Sequence, residues 1–591
     1  MKNIFKAFAI IALCTAAVSC EDFLNRPAED SFTVDSYYQN DDQVIAGVNY
    51  LYNAPWYDII RYYIYGSETM CGNVYQGQNA YTTLTVNGTD TDLKNMSYSL
   101  WAVNANCNTV INNILNSEGP SQGVKNQCIG ECLAWKAMAY FMLVRTFGDV
   151  PIVHDNTTTI KEGTYNTMSK VEKADVYDYI VMTLEKAMEL LPKNAYIGQY
   201  NRVDYYAAEA LLAKVYLTKA GVKGTLDQDD LTKAATYAKD VINNSGRSLT
   251  PVYSDVFRGS PTHFQSTGEC LFSWLWTSTS GIWTAQSSIQ DDVACTGFDE
   301  FGGDWGGWKG PSVDLQDAFG VSAIDAPALR ANEADTRRKA TCMMFGDSYS
   351  YWWQDKGGFD VCRFFYDPDY SAAGGWLCSS GSNYAKHLYG NAYDHQAEMG
   401  VAAGNMCNQL PTHILRLADI YLVAAEALVL TSQASEALPY INAVRTRAGV
   451  APLTAVTFDD VWKERRLELA LEGDRWYDFV RRSYYDADAC LAEIYAQRRS
   501  YWGGEGDTNS MTAAYKSYLL DDEGNYAGPG AHDWDGSGIS YNNTQDVAAG
   551  SITASVFTLP FPTEDVVQNP NVGSDVAPVH VDVRTEYNYN F

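Results

Sequence analysis

The spacing of apolar residues changes character several times along this chain of 591 residues. From Asp41 onward Val44, Val48, Leu51 and Tyr52 recur at intervals of three and four, which predicts a helix. The same one-sided stripe runs through "LWAVNANCNTVINNILN" (100–116), "GECLAWKAMAYFMLVRTFG" (130–148), "KADVYDYIVMTLEKAMELLP" (173–192), "VDYYAAEALLAKVYLTKAG" (203–221) and "DLTKAATYAKDVINNSG" (230–246). Gly246 stands where a left-handed residue would end the last of these. Far downstream the pattern returns in "LADIYLVAAEALVL" (417–430) and "ASEALPYINAVRTRAG" (434–449). In both blocks an Ala-rich helix is followed by a second, as in a tetratricopeptide unit, because small alanines let two helices approach and stack.

Between and around these helices the periodicity fails. The stretch 66–99 is rich in Gly, Asn, Thr and Tyr and reads as a long ordered excursion. Residues 270–380 hold eight of the fifteen tryptophans (274, 276, 283, 305, 308, 352, 353 and 376), joined by glycine-rich turns such as "FGGDWGGWKG". The run "CLFSWLW" alternates like a strand with at least one face in the core. A second irregular stretch covers about 483–556, and "SVFTLPFP" after it reads as extended.

The first residues have another logic. Lys2 and Lys6 precede an apolar run, Ile4 to Ala17, that is too short to span a bilayer, and small residues lead up to Cys20. This is similar to a bacterial lipobox, with 1–19 as the signal peptide and Cys20 as the lipidated first residue. No later run of eighteen apolar residues occurs, so membrane attachment is expected through lipid. The remaining eleven cysteines are an odd number without CxxC pairs, which argues against a disulfide scaffold. Cys128 and Cys132, one helical turn apart, read as core thiols because no other ligand stands nearby. With 42 Lys and Arg against 72 Asp and Glu the formal charge is −30, which disfavours nucleic acid as a partner.

Several motifs in a fixed order resemble the SusD/RagB family of outer-membrane nutrient-binding lipoproteins. They are "EDFLNRPAEDSFTVDSYYQNDDQVIAGVNYLY" after the cysteine, "AWKAMAYFMLVRTFGDVPIV" (134–153), "RLADIYLVAAEAL", "INAVRTRAG", "ERRLELALEGDRWYDFVRR" and "LPFPTEDVVQNPN" (559–571). The likeness spans nearly the whole chain and is weakest through 250–410 and 483–556. It implies a mostly α fold in which four tetratricopeptide-like helix pairs form a superhelical scaffold under a loop-rich, irregular ligand-binding face. It further implies capture of oligosaccharide or polysaccharide at the cell exterior, a lipid anchor in the outer membrane, delivery to a SusC-like TonB-dependent transporter, and no catalysis. On this reading 20–591 is a single domain: a tether and N-terminal segment (20–40), a scaffold mainly in 41–250 and 410–482, ligand-face insertions at about 66–99, 250–410 and 483–556, and a closing signature at 557–591.

Sugar rings offer apolar C–H faces and polar rims, so their sites want flat aromatic platforms beside planar hydrogen-bonding groups. Trp283, Trp305 and Trp308 rank first, since neighbouring Gly and Ser residues place them on turns. The 66–99 excursion adds Glu68, Asn73, Tyr75, Gln76 and Tyr81. Arg363, set among aromatics, would either clamp hydroxyls or pair with Asp360 or Asp367. Two other readings stay open, an extracellular glycoside hydrolase and a peptide-binding surface lipoprotein. The first needs two facing carboxylates, for which Asp291/Asp292, Asp299/Glu300 and Asp314/Asp317 are candidates. No GxSxG, HExxH or Walker loop occurs, and no cofactor is expected. Acidic runs such as "DDEGN" (521–525) lack the EF-hand spacing, so the sequence gives a structural Ca²⁺ no support.

The segment 464–482 gathers five arginines in nineteen residues. As one helix it would bury Trp462, Arg466, Leu469, Gly473, Trp476 and Val480 on one stripe, with Gly473 interrupting the helix or allowing close packing there. Its charges would pair outside that stripe as i,i+3 and i,i+4 neighbours worth some tenths of a kcal/mol each. It is therefore expected to be scaffold.

Overall fold

The computed structural model describes residues 37–193, 202–258, 269–278, 283–301, 304–327, 335–371, 378–503 and 509–591. The signal segment, Cys20 and Trp376 lie outside them.

Each predicted helix forms. In chain order they are α1 (Asp41–Asn49), α2 (Thr91–Asn116), α3 (Gln122–Phe147), α4 (Lys173–Leu190), α5 (Tyr205–Lys219), α6 (Gln228–Asn244), α7 (Leu417–Leu430) and α8 (Ala434–Arg447). Side-chain caps start several of them. Asn40, Asp90, Asp204 and Asp227 accept from amides of the first turns of α1, α2, α5 and α6. Gly246, at φ 71°, follows the last turn of α6 as expected. From Cys128 to Phe147 every residue of α3 is buried, so this helix is surrounded on all sides. It packs on α2 and α4; α4 then packs on α5, α5 on α6, α6 on α7, and α7 on α8. The α6–α7 contact joins the two helical blocks across the long insertion.

Two short pairings position that insertion. The strand β2 (Cys270–Trp274) runs antiparallel to β4 (Thr412–Arg416), which ties its two ends together. The two-residue strand β1 (Val74–Tyr75) pairs with β3 (Gly310–Pro311), which brings the 66–99 excursion against the segment that follows Trp308. Trp274 from β2 sits in the core against Trp56, which also meets Trp135 of α3. The closing signature docks where α3 ends: the Leu559 amide donates to the Thr146 carbonyl at 2.8 Å and Phe561 stacks on Phe147. All eleven described cysteines are buried, as small hydrophobes. Among the described residues no helix is long and apolar enough to cross a membrane.

Three expectations need correction. The 66–99 excursion is shorter than its composition suggests, because α2 begins at Thr91. The irregular stretch after 483 begins later, since helical structure continues to Ala496 across a kink at Asp486. Before "TLPFP" the chain makes a 3₁₀ turn (Ala554–Phe557) instead of a strand.

The segment 464–482 is not one helix. It splits into α9 (Phe458–Leu469) and α10 (Arg475–Ala496), with Leu471 at φ 65° and Gly473 at φ 84° between them. Its charges are also not surface pairs. Arg465 is buried and reaches Asp419 at 2.8 Å and Asp478 at 3.0 Å, while Arg481 pairs with Glu426 and Asp478. Glu468 and Glu472 meet Arg416 at 2.6 and 2.7 Å, and Lys386 adds a second cation to Glu472. The arginines lock α9, α10 and α7 together, so the scaffold reading stands on a stronger footing than surface pairs would give.

Candidate ligand-binding surface

The surface is built from two turns of the insertion, around Trp283 and around Trp305 to Trp308, and the turn that follows α1. That turn is 3₁₀ over Ala54–Ile59 and π-helical over Tyr62–Gly66. The change of register turns Tyr62, Tyr63 and Ile64 into the core and leaves Arg61 exposed. Above it stand three indoles that keep much of their surface in solvent: Trp283 at 51 %, Trp305 at 38 % and Trp308 at 47 %.

Each ring is fixed from below. Trp283 has φ 69°, a left-handed conformation that a bulky residue adopts only when its surroundings impose it. Its indole meets Tyr57 edge to face at 6.4 Å, and the Tyr57 hydroxyl lies 3.2 Å from Ser288 Oγ. The Trp305 amide donates to the Asp291 carbonyl at 2.9 Å, and its indole N–H donates to Asp292 Oδ1 at 3.1 Å. A Cβ on Gly306 would come within 2.2 Å of the Asp292 carbonyl oxygen, so only glycine lets the chain turn between Trp305 and Trp308. Lys309 donates to that same carbonyl at 2.8 Å and lies over the rings of Tyr65 and Trp308, 3.9 and 5.1 Å from their centroids. Arg61 Nη2 is 3.4 Å from Asp292 Oδ1.

Electrostatics follow from this half-buried setting. Burial lowers the Lys309 ammonium to about 8 despite the opposing charge of Asp292. Burial also pushes the Tyr57 hydroxyl up to about 12. Lys309 is itself buried with its ammonium on the Asp292 carbonyl, so it braces the rings from below. Three flat apolar faces, braced by Asp292, Lys309 and an exposed guanidinium, suit a polyhydroxylated ligand with apolar C–H faces.

The other predicted residues are placed differently. Glu68 is fully buried: it accepts from Asn73 Nδ2 at 2.8 Å and from the amides of Leu471 and Gly473 at 3.1 and 2.7 Å. Burial raises its carboxyl to about 6. Asn73 is buried too and takes a bond from Arg466 at 2.8 Å. Both hold the break between α9 and α10 and cannot touch a ligand, because every face they have is in contact with protein. Tyr81 is buried with its hydroxyl on Asp90, Gln76 is buried, and Tyr75 is buried with its ring 5.9 Å from that of Tyr501. Arg363 is partly exposed, but its guanidinium pairs with Asp367 at 2.9 Å and lies 4.3 Å from the Tyr370 ring centroid, which is the pairing alternative. Tyr57 and Arg61 are residues that sequence reasoning missed; the only signal was an arginine opening the aromatic run "RYYIYG".

Of the carboxylate pairs, Glu300 is exposed and the others are engaged or buried. Asp314 pairs with Arg466 at 2.7 Å and Asp317 with Arg498 at 2.8 Å, while Asp291, Asp292 and Asp299 are buried. A cavity of about 650 Å³ between α2 and the closing signature, lined by Tyr98, Trp101, Tyr165 and Phe561 among others, shares no residue with the Trp surface.

Comparison with known proteins bears on the whole chain. Residues 316–574 match the model of the SusD family, and residues 30–217 match a model described as starch-binding, associating with the outer membrane. A SusD-like protein of Bacteroides ovatus is 29% identical over 595 residues, covering 98% of each chain. A crystal structure described as containing xylogluco-oligosaccharide superposes with a TM-score of 0.72 at 26% identity, over 91% of this chain and 99% of that one. A laminarin-binding SusD-like protein has a TM-score of 0.60 at 19% identity, over 90% and 98% of the two chains, which speaks for the fold alone.

Proposed function

We propose, for a chain that belongs to the SusD/RagB family, that it captures an oligosaccharide or polysaccharide by stacking sugar rings on Trp283, Trp305 and Trp308. The observation that carries this reading is the exposure of three indoles on two braced turns of the insertion, one before and one after the helical turn Ile289–Val293, an arrangement with no role in the core. Arg61 supplies a forked donor at the edge of the platform. Binding of this kind needs no nucleophile or general acid, so the protein acts without catalysis.

The rest of the reading extends from the family and the sequence. The chain after residue 19 is one SusD-like domain, lipid-anchored through Cys20, facing the cell exterior, and it hands glycan to a SusC-like TonB-dependent transporter in the outer membrane. The names of the relatives set the probes: malto-oligosaccharide, xyloglucan oligosaccharide and laminarin oligosaccharide. Isothermal titration of the purified chain with each, and with a wider panel of plant and algal glycans, is expected to give saturable binding to at least one. Absence of heat across the panel, with binding to basic peptides instead, would replace this reading by that of a peptide receptor.

A further inference from the structure

The loop that carries Trp305 holds three carboxylates that the ligand surface does not use. Asp291 lies in a short helical turn (Ile289–Val293), and Asp299 and Asp304 follow in the bends after it. One oxygen from each lies within 4.8 Å of the others, and all three residues are buried. The Asp299 amide donates to Asp304 Oδ2 at 2.6 Å and the Phe301 amide to Asp299 Oδ1 at 2.9 Å, so the backbone itself folds the acids toward one another.

Two observations separate this group from an ordinary acidic cluster. Asp291 is 1 % exposed and neither of its carboxylate oxygens has a hydrogen-bond partner; Asp304 is 2 % exposed and one of its oxygens has none. Buried Glu468 and Glu472, by contrast, have arginine on them. Among the described residues no Lys or Arg is paired with Asp291 or Asp304. Burial first, and the neighbouring carboxylates second, push Asp291 to about 7 and Asp304 to about 9, and the amide of Met406 counters the rise at Asp291 without reaching bonding geometry. Oxygens gathered in this way are what a hard divalent cation requires. Calcium takes oxygen ligands at about 2.4 Å, so any two of its ligands lie at most about 4.8 Å apart, the limit that these three acids meet together. With no imidazole or thiol in the set, zinc and copper are disfavoured.

We propose that Asp291, Asp299 and Asp304 form a site for a hard divalent cation, calcium by its donor set, that fastens the loop bearing Trp305. Backbone carbonyls and water complete the coordination. Because the Trp305 amide is bonded to the Asp291 carbonyl, the cation and the ring are held by one turn. This inference is independent of the glycan reading and is tested without glycan.

The full chain, stripped with EDTA and dialysed, is titrated with calcium chloride and separately with magnesium chloride in a calorimeter, and its melting is followed in both and in EDTA. One calcium per chain is expected, with weaker magnesium binding. Calcium at about a hundredfold over its Kd should raise Tm by about 2 °C. The double variant Asp291→Asn, Asp304→Asn should lose the binding while its Tm in EDTA equals or exceeds that of the native chain, since repulsion is removed. Should that variant fail to fold, Asp291→Asn alone is expected to bind calcium at least tenfold more weakly. No heat and no Tm shift with the native chain at about 10 mM calcium, or undiminished binding by the variants, would overturn the site.

Discussion

Replacing Trp283 by alanine removes the most exposed of the three indoles while leaving the fold's core untouched. Alanine keeps a Cβ, so the left-handed backbone at φ 69° carries the same steric cost before and after the change, and the comparison isolates the ring. A full indole side chain presents about 250 Å², of which 51 % is exposed here, or roughly 120 Å². A sugar that stacks on one face covers about half of it, near 60 Å², which at about 25 cal/mol per Å² is about 1.5 kcal/mol. That predicts a Kd about twelvefold weaker for the glycan that binds the native chain. Trp283→Phe, with a smaller face, should fall between the two. Titration calorimetry measures the change, and the melting temperature is expected to stay within about 1 °C because among the described residues the ring's one aromatic neighbour is Tyr57. A Kd unchanged within twofold in a variant that melts like the native chain would refute the stacking argument and move the ligand elsewhere. A fall of several degrees in Tm would show that the ring is structural.

Three further outcomes test the frame. Arg416→Leu leaves the buried carboxylates of Glu269, Glu468 and Glu472 without their shared cation; denaturant unfolding should show a loss of about 3–5 kcal/mol, partly restored by lysine, and an unchanged midpoint would contradict the network. Burial acts to raise Glu468 and Glu472, but the facing cations, Arg447, Arg416 and Arg337 for the first and Arg416 and Lys386 for the second, outweigh it and hold both at about 2. Their folded values lie below the unfolded value of 4.5, so their contribution is complete above that pH and disappears as pH falls toward 2; calorimetric Tm should drop through this window, and a flat profile would count against it. Trp476→Ala deletes a buried ring stacked on Phe557 at 5.6 Å and should cost about 3–5 kcal/mol, with glycan affinity of the folded fraction unchanged; selective loss of binding in a stable variant would reverse that assignment.

The helices were legible because what makes them is local. Apolar spacing of three and four, a cap such as Asp227 and a left-handed Gly246 all sit within a few residues of the element they define. At 470–474 Gly473 marked an interruption or a close approach, but which residues impose it was not legible, because they lie about four hundred residues away in sequence. Glu68 takes the amides of Leu471 and Gly473, and the Tyr63 ring packs where a Cβ on Gly473 would come within 2.5 Å. For the same reason the arginines looked like partners of their helical neighbours, when Asp419 and Glu426 of α7 are the acids that hold Arg465 and Arg481.

The site divides along a related line. A polar residue in a Gly- and Asn-rich stretch looks available for a ligand, yet its hydrogen bonds are spent wherever the chain has backbone to satisfy. Glu68 and Asn73 are of this kind: their charge and amide serve a helix break, which sequence cannot distinguish from service to a sugar. Arg61 shows the converse, an exposed cation concealed in an aromatic run by a π-helical turn that no spacing rule anticipates. Tryptophan is less ambiguous, because an indole left in water forgoes more than any other side chain would, and the core here has already taken Trp56, Trp135, Trp274 and Trp476. The same chain leaves Trp283, Trp305 and Trp308 uncovered and spends Asp292, Lys309 and Gly306 on supporting them, which is what the proposed stacking of a ligand on those rings requires.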